Sequence, residues 1–91
     1  MTRNSLIEEN KSLFWYFDKT QLNTMSDSVL IEFILNYGTI QDVKALFEVL
    51  GKENVAQEFG NKIKNERNNY FPLVRNFFDL YFRRNVPKYP F

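Results

Sequence analysis

Between residues 26 and 51 the apolar positions fall into two runs with different spacing, each closed by a glycine. The first run, Val29, Leu30, Ile31, Phe33, Ile34, Leu35 and Tyr37, is hydrophobic nearly all round. Ser26 or Asp27 stands where an N-cap belongs, and Gly38 follows the last apolar position. The spacing predicts a helix over 26–37, and a helix apolar on every side belongs in the middle of a bundle. The β-branched stretch "SVLIEFIL" would also suit a strand, but stop signals at both ends decide for helix. In the second run Thr39 is the N-cap and Asp42 sits three residues on, in a capping-box position. Ile40, Val43, Leu46, Phe47 and Leu50 then share one face before Gly51, predicting a helix over 39–50. Short links of this kind force a sharp angle, as in a helix-turn-helix or a compact helical hairpin.

A third helix is predicted over 52–64, with its stripe at Val55, Ala56, Phe59 and Ile63. Gly60 weakens it by about 1 kcal/mol relative to alanine. The polar tract "NKIKNERNN" reads as a frayed helix end or a loop. Pro72 suits the first turn of a last helix over 72–84, in which Val74, Phe77, Phe78, Tyr81 and Phe82 follow helical spacing. Pro87 and Pro90 prevent its continuation. The pattern therefore predicts an all-α, compact four-helix domain with a helix-turn-helix-like core. Residues 13–18, "LFWYFD", are too few to span a bilayer and do not alternate as a half-exposed strand would. They are expected to form an extended or single-turn aromatic anchor laid over Phe77, Phe78 and Tyr81, with Trp15 more buried than exposed and Asp18 capping the turn at Lys19. One domain over 1–91 follows, with an ordered core at about 12–84 and flexible tails at 1–11 and 85–91.

Composition narrows the chemistry. The chain has 91 residues, no cysteine and no histidine. Disulfides, thiolate ligands and the usual Ser-His or Cys-His pairs are thereby excluded, along with histidine-based zinc sites. Two carboxylate pairs, Glu8 with Glu9 and Asp42 with Glu53, read as solvated charge, so no catalytic residue, cofactor-binding motif or metal ligand is assigned. The start of the chain, "MTRNSLIEENKS", holds no apolar run of signal-peptide length, and a cytoplasmic, non-membrane protein is expected. A 44% share of hydrophobic residues excludes a disordered chain, and the 18% aromatic share implies a core built from a few bulky rings.

A family resemblance adds to this. "LFW" followed by Asp18, a helix ending "ILNYG", then Asp42, Leu46 and Gly51 with Glu53 and Val55 behind it, resembles a small prokaryotic domain of unknown function. In that family LFW-x-x-D precedes a helix closing on L-x-Y-G and another closing on Gly. The likeness covers about residues 13–59. Genes of the family often lie beside abortive-infection nucleotidyltransferase toxins, so the resemblance implies an antitoxin-like or regulatory protein whose partner is a cognate toxin.

Charge layout supplies the functional expectations. Residues 1–51 hold four bases against seven acids, whereas residues 52–91 hold eight bases against four acids. The basic half suggests a face able to meet an acidic partner. The leading expectation is a non-enzymatic protein-interaction module, with Tyr70, Phe71, Arg83, Arg84 and Tyr89 at the ends of the last helix as contacts. The alternative is a weak DNA-binding helix-turn-helix regulator in which Lys62, Lys64, Arg67, Arg75, Arg83 and Arg84 contact phosphates. Either function leaves room for a homodimer.

Overall fold

In the computed structural model, residues 2–11, 25–64 and 68–90 are described. Among these residues there are five helices and no strand: α1 (Arg3–Glu9), α2 (Asp27–Tyr37), α3 (Ile40–Leu50), α4 (Lys52–Ile63) and α5 (Pro72–Asn85). The aromatic run at 13–18, with Trp15, lies outside them. No helix among the described residues is long and apolar enough to cross a membrane.

Helices α2 to α5 begin and end close to the sequence boundaries because their caps form as the residue types require. The Ser26 hydroxyl accepts from the Val29 N–H at 3.3 Å. Thr39 and Asp42 close a reciprocal capping box, the Asp42 N–H donating to Thr39 Oγ1 and the Thr39 N–H to Asp42 Oδ2. Gly51 sits at φ 87°, a region that favours glycine, and so turns α3 into α4 without strain. Gly38 is needed for a different reason. Its φ of −77° is ordinary, but a Cβ there would stand 2.7 Å from the Ile34 carbonyl oxygen.

Helix α2 buries six consecutive residues, Leu30 to Leu35, five of them apolar as its pattern requires and the sixth Glu32, whose carboxylate has the Lys62 ammonium 3.9 Å away. Helix α4 packs against α2, α3 and α5, and its Phe59 lies in the aromatic core. Tyr70, Phe82 and Phe78 surround that ring at centroid distances of 4.9, 5.4 and 6.3 Å. The radius of gyration, 12.7 Å, is close to the ~12 Å expected of a globule of this length.

Both ends of the chain depart from the expectation of loose tails. Thr2 caps α1 by accepting from the Ser5 N–H, and Leu6 and Ile7 are fully buried. The Arg3 guanidinium pairs with Asp27 Oδ1 at 2.8 Å and donates to the Met25 carbonyl, tying α1 to the start of α2. At the other end Val86 and Tyr89 are buried. Gly60 explains the seat of Tyr89: a Cβ at position 60 would lie 3.2 Å from the Tyr89 ring. The glycine that weakens α4 locally thus leaves space into which the C-terminal segment packs.

Candidate functional site

The apolar stripes of α3 and α5 are wider than the faces the bundle covers. On α3, Leu46 is fully buried and Val43, Phe47 and Leu50 are half-buried, but Ile40 is 74% exposed. On α5, Phe78 and Phe82 are buried, whereas Leu73 is 84% and Phe77 60% exposed. The uncovered parts of the two stripes line one groove of about 720 Å³ between the helices, with Leu35 of α2 also in its wall. Aromatic rings build much of the lining. Phe47 and Tyr81 stack at 6.0 Å with an interplanar angle of 11°, and Tyr81 stacks in turn on Phe77 at 6.3 Å.

The charged residues lining the groove are Lys44 and Lys52, both exposed. Lys52 holds its ammonium 5.7 Å from the Phe47 centroid and 5.5 Å from that of Tyr81, within the range of a cation–π interaction. Neither lysine makes an ion pair among the described residues; the ion pairs there join Arg3 to Asp27, Lys62 to Glu32 and Arg83 to Asp79. The groove brings together apolar surface and positive charge. No group of three or more His, Cys, Asp or Glu residues that could hold a metal ion is found among the described residues.

The residues singled out from the sequence are placed elsewhere. Tyr70 and Tyr89 are core residues, 6% and 7% exposed. Burial pushes the Tyr70 hydroxyl well above the usual phenol range, and the carboxylates of Glu32 and Glu58 push it further. The Tyr89 hydroxyl donates to Asp79 Oδ1 at 2.6 Å. Its acidity is suppressed first by burial and then by that carboxylate. Burial alone would raise the Asp79 carboxyl, but hydrogen bonds from Tyr89 and Arg83, with the charges of Arg83 and Arg75, hold it below its ordinary value. Phe71 remains exposed and meets the exposed Tyr37 edge-on at 5.3 Å. Arg84 is exposed, while Arg83 pairs with Asp79 at 3.1 Å and lies over the Tyr89 ring.

The six basic residues of the nucleic-acid expectation do not gather into one described face. Arg67 lies outside the described residues. Lys62 is half-buried with its ammonium 3.9 Å from Glu32. Lys64 is exposed at the end of α4. Arg75 and Arg84, nine residues apart on α5, point to opposite sides of the helix at ~100° per residue. Sequence reasoning missed Leu73, Lys44 and Lys52 as site residues and took Ile40 and Phe77 for core. The one signal available was on α5, where Leu73 and Leu80 widen the apolar face beyond the stripe of Val74, Phe77, Phe78, Tyr81 and Phe82.

Fold and groove together define a class, a small all-helical domain that presents an uncovered apolar cleft between two of its helices. No known protein family, curated protein or solved structure matches the chain.

Proposed function

We propose that the protein is a non-enzymatic interaction module that docks a partner protein through the groove between α3 and α5. The observation that carries this reading is the continuity of exposed Ile40, Leu73 and Phe77 across one apolar surface, since soluble domains rarely leave such a patch uncovered without a partner. Helix-in-groove docking is a recurrent way of filling such a cleft. The biological role that suits the resemblance drawn above is that of an antitoxin-like or regulatory protein, its partner a nucleotidyltransferase-type toxin encoded nearby. Within this reading α2 to α5 are the four-helix unit, with α2 and α3 its helix-turn-helix-like pair.

Co-expression with the chromosomal neighbour, followed by affinity capture, tests the proposal. The neighbour should co-purify with the native chain and be lost when Ile40 and Phe77 are both replaced by serine. Capture that is indifferent to both substitutions would remove the groove from the function. DNA binding is the competing outcome. It would appear as a salt-dependent mobility shift on duplex DNA of any sequence, weakened when Arg83 and Arg84 become alanine.

A further inference from the structure

Resting on that reading, we infer that the occupant of the groove is an amphipathic helix of a partner protein whose apolar face is flanked by acidic side chains. The length fits. The α5 residues that line it run from Leu73 to Tyr81, about 13 Å of helix, so two to three turns of a guest helix can lie along that wall. Such a guest presents apolar anchors at i, i+3, i+4 and i+7, and the groove offers both aliphatic side chains and rings to receive them.

The charge fixes the flank. Lys44 and Lys52 are the charged residues of the lining, no acid stands among them, and neither has a carboxylate partner among the described residues. Asp42, two residues before Lys44, already serves the capping box with Thr39. Lys52 is moreover positioned by two rings, so less side-chain freedom is lost when a carboxylate reaches it. A basic or neutral guest would leave both ammonium groups at the edge of a desolvated interface without a counter-charge, which favours the acidic one.

Three synthetic 18-residue peptides test the inference, each with leucine at i, i+3, i+4 and i+7 and with flanks of glutamate, glutamine or lysine. Binding to the full chain is measured by calorimetry at low and at physiological salt. The glutamate peptide should bind about tenfold more tightly than the glutamine peptide, with the advantage shrinking as salt is added. The double variant Lys44→Glu, Lys52→Glu should reverse the order so that the lysine peptide binds best. Neither substitution threatens folding: Lys44 is exposed, and Lys52 opens α4, where an acid suits the helix N-terminus.

Equal binding of all three peptides, abolished by Ile40→Ser with Phe77→Ser, would overturn the acidic partner while leaving the interaction reading in place. Binding by none of them, together with a partner capture insensitive to the same two serines, would overturn both. A dimer dispersed by the two serines, with no preference among the peptides, would assign the groove to a second copy. Tighter binding of every peptide after Trp15→Ala, with no preference for glutamate, would assign it to the chain's own residues 13–17.

Discussion

Replacing Gly60 with alanine sets two effects of opposite sign against each other. Gly60 lies inside α4, where alanine is favoured by about 0.5–1 kcal/mol through its smaller loss of backbone entropy. Against this, the added Cβ would stand 3.2 Å from Tyr89 Cε2, 3.8 Å from Cδ2 and 4.0 Å from Cζ. The ring cannot retreat without loss. Its hydroxyl is held by Asp79 at 2.6 Å, Phe82 and Phe59 lie at 5.7 and 6.5 Å, and the Arg83 guanidinium lies over it at 5.7 Å. Overpacking of this kind costs about 1–3 kcal/mol. Gly60→Ala should therefore destabilise the native chain by about 1 kcal/mol net. In a Tyr89→Ala background the obstruction is gone, and the same substitution should stabilise by about 0.5–1 kcal/mol. Urea unfolding of the four chains, followed by far-ultraviolet circular dichroism, gives the double-mutant cycle directly. The diagnostic is the change of sign. Stabilisation by Gly60→Ala in both backgrounds would show that Tyr89 is not seated against α4, and the account of the C-terminal segment would fail with it.

Three further outcomes are expected. Asp79 is held below its ordinary pKa in the folded chain, so its contribution is complete above the unfolded value of about 4 and lost as the pH falls through the folded value. The gap in urea midpoint between the native chain and Asp79→Asn should accordingly be constant at neutral pH and close on acidification, and a gap undiminished near pH ~2 would contradict the assignment. Thr39→Ala removes one half of the capping box and should cost about 1 kcal/mol by thermal unfolding, with Asp42→Ala adding less than its single effect because the two bonds are reciprocal. Leu6→Ala should destabilise by about 2–5 kcal/mol, as a fully buried leucine does, where a loose N-terminal tail would give no measurable change.

The helices from α2 onward were legible because their signals are local. A cap residue, a periodic stripe and a terminating glycine or proline all act within one or two turns, and Ser26, Thr39, Gly51 and Pro72 each act where the chain carries them. Helix α1 was not legible because it is a seven-residue helix with two adjacent apolar residues, Leu6 and Ile7, too few to establish a period. Only Thr2 with Ser5 three residues on hinted at a start. The burial of Tyr70 and Tyr89 was hidden for another reason. Both rings pack against Phe59, at 4.9 and 6.5 Å, from segments beyond the end of α4, and no local pattern encodes a neighbour at that separation. The groove was half legible. The stripe positions of α3 and α5 were named, though not Leu73 beside them, and periodicity says which residues share a face and not how much of that face a neighbour covers.

The side chain of Asn36 has a bearing on the order in which the molecule assembles. Its amide donates to the Asn69 carbonyl at 3.0 Å and accepts from the Phe71 N–H at 3.2 Å. Phe71 is the N-cap of α5 and offers no side-chain cap of its own, while Pro72 has no N–H to satisfy. The first turn of α5 is therefore secured by a residue on α2, 35 positions earlier in the chain, rather than by its own neighbours. Helices α2, α3 and α4 follow one another through short links and collapse through contacts that close small loops. The start of α5 must wait for a much longer loop to close, with the larger entropic cost that implies. The Asn36 contacts should accordingly form after the α2–α4 body, and the end of α5 that carries the groove residue Leu73 is settled only when they do.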